Sequence, residues 1–232
     1  MKFSVIVADC PWNFKDSLKM SDVKRGASDN YSVMSIEQIM SIPVKDIVSD
    51  DGALLALWVP SSLLQEGLDV MKAWGFTHKQ TYVWVKIKKD PFLRFKDWIV
   101  KSVLKHPQIL YDDFAYKRAI NSIISSLKNL SINEMLGFGM GRLFRQTHEI
   151  CLIGTSNNKI YKLLKNKSQR SVSVAQNLKH SSKPEDLQDS LDLMFPDSKK
   201  LEMFARRVRP GWECIGNEVC NGEDINTSIS KL

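Results

Sequence analysis

The stretch Phe3-Ser4-Val5-Ile6-Val7-Ala8-Asp9-Cys10-Pro11-Trp12 decides how the rest of the chain is read. Phe3–Ala8 is apolar and rich in β-branched residues, which is how a strand buried on both faces reads. An acid, a proline and a tryptophan follow it at once. In open α/β sheets ligands gather beyond the carboxyl ends of the strands, so Asp9-Cys10-Pro11-Trp12 stands where a site is expected. A carboxylate beside a backbone carbonyl that Pro11 keeps out of regular pairing makes two acceptors pointing one way. The two N–H donors of a planar exocyclic amine match such a pair. Trp12 adds a π face on which a base can stack. The same four residues also describe a turn with an Asp cap and a core Trp, and the tetrapeptide alone leaves both readings open.

Working outward, Gly52–Val59, Thr81–Lys86, Ile150–Gly154, Lys200–Phe204 and Glu213–Gly216 read as further strands. Helices fall between them. Ser35-x-x-Gln38 opens a short one with a capping-box pattern. Ser62-x-x-Gln65 opens a second through Ala73, stopped at Gly75, and Ser182-x-x-Glu185, with Pro184 in the first turn, opens a third to about Phe195. This alternation predicts an α/β domain with a largely parallel sheet covered on both faces. From about Lys88 to Gly137 the alternation stops and helical patterns take over, as in Phe92–Leu104 and Phe114–Leu130. Some fifty residues are too many for a structureless loop, so a helical insertion at 88–137 is expected. Its Arg94, Lys96, Trp98, Lys101 and Lys105 could grip a substrate, but packing against the sheet and a partner subunit is the expected role. One domain over 1–220 and a polar, fraying tail over 221–232 complete the expected organisation.

Composition narrows the class. The 232 residues suit a single core, and 43% hydrophobic with 25% charged residues excludes collagen-like and wholly disordered chains. No apolar run approaches the ~18 residues of a membrane span, and Asp9 comes too early for a signal peptide. Cys10, Cys151, Cys214 and Cys220 form no C-x-x-C pair, so neither a disulfide scaffold nor a zinc knuckle is indicated. The net charge is +7. Lys159, Lys162, Lys165, Lys167, Arg170, Lys179 and Lys183 fall between Ile150 and Pro184 with no acid among them. Such a run suits a polyanion, and it equally suits a solvated loop. Gly137, Gly139 and Gly141 precede a strand rather than opening a helix, which argues against a dinucleotide or phosphate-cradling loop and for a mobile loop beside the site.

Asp-x-Pro-Trp after an N-terminal strand resembles the catalytic motif of amino-group methyltransferases, and the chain as a whole resembles the MT-A70 family of N6-adenine methyltransferases. The resemblance rests on V-I-V-A-D-C-P-W-N-F at 5–14, Y-S-V-M-S at 31–35, L-L-A-L-W-V at 54–59, G-L-D-V-M-K-A-W-G-F at 67–76 and V-W-V-K at 83–86. It continues with G-R-x-x-R-x-x-H-E-I-C-L-I-G at 141–154, H-S-S-K-P-E-D-L at 180–187 and the stretch from Phe195 to Val219. It covers nearly everything but the insertion and the tail.

The resemblance implies a Rossmann-like class I methyltransferase domain in circularly permuted order, with the catalytic motif first and the strand that binds S-adenosylmethionine late. It implies that Asp9 and the Cys10 carbonyl hold the N6 amine of adenine, with Pro11 shaping the turn and Trp12 walling or stacking on the base. Lys183, Phe204, Arg206, Asn217 and Glu218 take the family's cofactor-contacting positions, and Asp9 borders the cofactor too. Tyr31, Arg142 and Arg145 fall where the family approaches the substrate, and the basic run at 159–183 would track phosphates. No metal is implied. Three departures stand out: Cys10 replaces the usual proline, few residues precede Asp9, and Val208 stands where relatives often carry a histidine, with Arg209 expected to compensate. The expected substrate is DNA, single-stranded or with the adenine flipped out; RNA, or a non-catalytic nucleic-acid-binding role, are the alternatives. A homodimer with the insertion and Trp98 at its interface is expected, with no membrane partner, in the cytoplasm of a prokaryotic cell or a virus-infected host.

Overall fold

In a computed structural model, the described residues are 1–13, 33–89, 96–97, 99–101, 104–105, 114, 117–118, 120–121, 125, 133, 135–139, 141, 143–176, 182–219 and 223–232. Among them seven strands form one sheet: β1 Val5–Ala8, β2 Leu54–Val59, β3 Thr77–Ile87, β4 His148–Thr155, β5 Val172–Gln176, β6 Lys200–Met203 and β7 Glu213–Ile215. Their order is β5-β3-β4-β2-β1-β6-β7. β1 pairs in parallel with β2 on one side and β6 on the other, and β6 pairs in parallel with β7, while β4 runs antiparallel to β2. All residues of β1 and β2 are buried, as their uninterrupted apolar runs require. The helices are α1 Ile36–Met40, α2 Leu64–Ala73, α3 Asp186–Met194 and α4 Ile225–Ser230. This is a Rossmann-like α/β sheet in the permuted order, with the first strand inside it between β2 and the late β6.

Because strand side chains alternate, Ile6 and Ala8 face one side of the sheet and Val5 and Val7 the other. The first side packs with Leu55 and Leu57 against Ile39 of α1, Val70 and Met71 of α2, and Ile225 and Ile229 of α4 in one apolar cluster. Trp74 ties two of these helices together, its Nε1 donating to the Ile39 carbonyl at 2.9 Å. On the second side Glu202, level with Val7, meets Gln188 of α3. Helices therefore cover both faces. The chain divides into two compact units, the first comprising Met1–Trp84, Glu149–Ser173 and Glu185–Leu232, the second Val85–His148 and Val174–Pro184.

Several element boundaries differ from expectation, each for a local reason. The capping box at Ser35 and Gln38 forms in full. At the second helix, Ser61–Leu63 instead makes a 3-10 turn and α2 starts without a side-chain cap, because Gln65 bonds Asp69 one turn on. α3 likewise starts after Glu185 and not at Ser182, since the Glu185 carboxylate pairs with Arg207 and Arg209. Phe204 falls outside β6 because its φ of 59° breaks the strand. β3 begins at Thr77 rather than Thr81, directly after the turn at Gly75, whose φ is 85°. β5 lies inside the basic run and was not expected. The fraying tail is also corrected: α4, capped by Asp224, buries Ile225 and Ile229. In the insertion, Lys96, Asp97, Leu104, Phe114, Lys117, Arg118 and Ser125 are among the helical residues, whereas Trp98 lies outside the described residues.

Candidate active site

The register of the parallel strands assembles the site. Ala8 is level with Leu57 of β2 and with Met203 of β6, and Met203 is level with Ile215 of β7. Asp9, Phe204 and Gly216 therefore leave neighbouring strands at the same edge. β1 is also where the strand order turns, with β2 to one side and β6 to the other, which is the crevice position for ligands in such sheets.

After β1 the chain turns tightly. The Trp12 N–H donates to the Cys10 carbonyl at 2.9 Å across Pro11, and the Met34 N–H donates to the Pro11 carbonyl at 2.9 Å. The fixed φ of proline suits such a three-residue turn. Cys10 and Trp12 are each 4% exposed and belong to the apolar core. The indole Nε1 donates to the Trp58 carbonyl at 2.9 Å. Trp12 is thus the floor of the turn rather than an open platform. Asp9 is half-buried. Burial, then the Asp9 carboxylate, push the Cys10 thiol up, so it stays protonated. The polar chemistry of residue 10 rests with its carbonyl, which has a second lone pair beyond the one Trp12 uses.

The loops after β6 and β7 interlock. Phe204 holds a left-handed backbone that a bulky residue seldom adopts, and it packs against the core. The Ala205 N–H donates to the Ile215 carbonyl at 2.9 Å, and a Cβ on Gly216 would stand 2.5 Å from the Ala205 oxygen. Only glycine permits that approach. The Val219 N–H donates to the Gly216 carbonyl at 3.1 Å, placing exposed Asn217 and Glu218 at the tip of a turn. Arg206 Nε lies 3.7 Å from Glu218 Oε1. Phe204 and Arg206, one strand over from Asp9, and Asn217 and Glu218, two strands over, are therefore brought together. Lys183 and Arg145 belong to the second unit, where the Arg145 guanidinium sits 4.5 Å from the centre of the Phe138 ring. Tyr31 and Arg142 lie outside the described residues.

Two expectations change. Arg209 does not compensate at the position beside Val208: its guanidinium turns to α3 and bonds Glu185, Asp189 at 2.6 Å and Asp192 at 2.9 Å. Burial works against its charge, but the bonds to Asp189 and Asp192 outweigh it and hold the pKa above the ordinary arginine value. The basic run, too, starts at the wrong end. Thr155 at the end of β4 pairs with Leu54 at the start of β2, and Lys159 Nζ donates to the Asp50 carbonyl at 3.2 Å. Lys159 therefore sits at the amino edge of the strands, opposite Asp9. The clamp on Arg209 leaves no local signal in the sequence, because its partners are 17 to 24 residues away. Gly216, a glycine straight after a strand, was the available signal for the interlocked loops.

A family model described as MT-A70 matches residues 3–111 and 114–218. The chain is similar to the human N(6)-adenine-specific methyltransferase METTL4, 28% identical over 98% of this chain and 40% of that protein. It is similar to the Drosophila melanogaster N(6)-adenosine-methyltransferase MT-A70-like protein, 23% identical over 94% of this chain and 27% of that protein. It is also similar to the type II methyltransferase M.MunI of Mycoplasma sp, 22% identical over 94% of this chain and 78% of that protein. The chain thus spans well under half the length of the fly and human relatives.

Proposed function

We propose a function on the premise that the chain belongs to the MT-A70 family: it transfers a methyl group from S-adenosylmethionine to the N6 amine of adenine in DNA. The observation that carries this reading is the single edge at which Asp9 and the Cys10 carbonyl, the Phe204–Arg206 loop and the Asn217–Glu218 turn emerge from β1, β6 and β7. The donor set suits the cofactor. A guanidinium suits a carboxylate, and a neutral amide beside an acceptor carboxylate suits a ribose diol. Arg206, Asn217 and Glu218 would hold those groups, with Phe204 beside them. When bound, S-adenosylmethionine supplies a methyl activated on sulfonium.

The protein's part in the chemistry is positional. The lone pair of adenine N6 is delocalised into the ring and is a poor nucleophile. Asp9 accepts one N–H and the Cys10 carbonyl the other, which favours the pyramidal geometry in which the lone pair is available; holding the amine in line supplies much of the remaining acceleration. Asp9 need not remove a proton before the new N–C bond forms. Trp12, locked to Trp58, keeps the turn rigid and walls the base.

DNA is the polymer proposed because the chain covers 78% of M.MunI, which is named as a type II methyltransferase, against 27% of the fly relative named for adenosine. RNA is the second reading, carried by those adenosine-named relatives. Two copies pairing as a homodimer are part of the proposal; a species of only 26.5 kDa in sedimentation at micromolar concentration removes that part. The main test is mass-spectrometric detection of N6-methyladenine in DNA from cells expressing the chain or its Asp9→Ala variant, with a competition between matched DNA and RNA oligonucleotides. Modified DNA with the wild type alone is expected. Equal modification by the variant overturns the role of Asp9, and preferential transfer to RNA overturns the choice of polymer.

A further inference from the structure

The second unit carries aromatic and apolar side chains to which the reading above gives no role. Past β3, the Gly137 N–H donates to the Lys86 carbonyl at 2.6 Å and the Lys88 N–H to the Met135 carbonyl at 2.9 Å. Gly139 and Gln146 then bridge antiparallel, the Gly139 N–H donating to the Gln146 carbonyl at 3.1 Å. The glycines make this closeness possible: a Cβ at Gly139 would lie 2.5 Å from the Gln146 oxygen, and one at Gly141 2.0 Å from the Phe144 oxygen. On this pinned backbone Phe138, Leu143 and Phe144 are 72%, 93% and 87% exposed. Large apolar side chains standing so far out in solvent within seven residues of sequence mark an interaction surface. Arg145 lies over the Phe138 ring at 4.5 Å, so an aromatic face and a cation are presented together.

We propose that this hairpin is a base-stacking grip for an unpaired nucleic-acid strand, an inference that rests on the nucleic-acid reading above. Charge selects the occupant. The residues of the second unit carry fourteen Lys and Arg against five Asp and Glu, and those of the first nineteen against twenty-one. A second copy meeting the same patch would set like charge against like, whereas a polyanion releases counterions there. Aromatic rings interleaved with arginine are the means by which single strands are held with little sequence preference, since every base has a π face. A duplex hides those faces. Stacking ignores the sugar, so single-stranded DNA and RNA are both bound.

The test is fluorescence anisotropy with the full chain and no methyl donor, using a labelled single-stranded DNA of mixed sequence, its RNA counterpart and a blunt DNA duplex. The single strands bind more tightly than the duplex. Phe138→Ala and Phe144→Ala each weaken single-strand binding about tenfold. Phe144→Leu, which keeps the apolar bulk but not the ring, weakens it as much, and Phe144→Trp retains it. Wild-type affinity in the alanine variants overturns the proposal, and so does full retention by Phe144→Leu. A loss of dimer in sedimentation with unchanged strand affinity assigns the hairpin to a second copy and also overturns it. Because no transfer is measured, a chain that grips strands through Phe144 but methylates nothing refutes the proposed activity and leaves this inference standing.

Discussion

Asp9 and Asn217 follow β1 and β7, two strands apart at the same edge of the sheet, yet they are asked to do different things. Asp9→Ala removes one of two acceptors for the amine and should abolish transfer while leaving cofactor affinity within a few-fold. Asn217→Ala should instead weaken cofactor binding by about tenfold, the net worth of a hydrogen bond or two, as measured by calorimetry, with transfer recovering at saturating donor. Equal loss of both functions in the Asp9 variant contradicts this division. Gly216 supports both residues indirectly. Adding a methyl there forces the chain at Ala205 to give way, since the nearest oxygen would stand 2.5 Å off. Gly216→Ala is therefore expected to cost about 1–3 kcal/mol in chemical denaturation, the usual range for an overpacked site.

α3 is held to the strand edge by charge as much as by its apolar stripe of Leu187 and Leu191. Arg209 gathers Glu185, Asp189 and Asp192 on that helix, and Trp212 Nε1 adds a bond to Asp192 at 3.0 Å. Arg209→Leu removes the cation that the three carboxylates share, while Arg207 stays with Glu185 and Lys200 with Asp192. A loss of about 2 kcal/mol is expected, between the values for surface and buried pairs because the partners are partly solvated. Glu202 gives α3 a pH dependence of definite sign. Burial, against a weaker opposing bond from Gln188, raises its pKa above the ordinary glutamate value. The folded state then holds the proton more tightly than the unfolded chain, so the stabilisation is complete below the ordinary glutamate pKa and is lost as pH rises through the raised value. Glu202→Gln should raise the melting temperature at pH 7 to 8 and change it little at pH 4. These elements differ in how legible they were. β1 and β2 could be read from sequence because a strand buried on both faces has no polar interruption, and α1 because its cap is local. α4 could not, because two isoleucines four apart are too sparse a stripe to stand out in a polar stretch. The start of α3 was misread because Glu185 satisfies arginines more than twenty residues away. The catalytic turn and the glycine after β7 were local, and so were visible; the clamp on Arg209 and the placement of Lys159 depend on strand direction, which no short motif encodes.

Charge is distributed across the molecule in a way its total conceals. The net +7 arises from a first unit two charges negative and a second unit nine charges positive. The unit that carries Asp9, Arg206 and Asn217 therefore offers no general attraction to a polyanion, and Lys159, whose Nζ donates to the Asp50 carbonyl, stands at the amino edge, away from Asp9. Salt should separate the two kinds of binding. Cofactor affinity depends on short-range hydrogen bonds and one local guanidinium, and should change less than about threefold between 50 and 200 mM salt. Strand affinity depends on counterion release, and with about five phosphates neutralised it should fall roughly a hundredfold over the same interval. The measurement is a pair of titrations on one preparation, anisotropy for an oligonucleotide and calorimetry for S-adenosylmethionine. Charge-reversing Lys86 or Lys88 in the second unit should flatten the oligonucleotide slope by about one contact, whereas reversing Lys159 should leave it unchanged. A slope that responds to Lys159 as strongly as to Lys86 would mean that the strand runs along the amino edge of the sheet, away from the turn at Asp9.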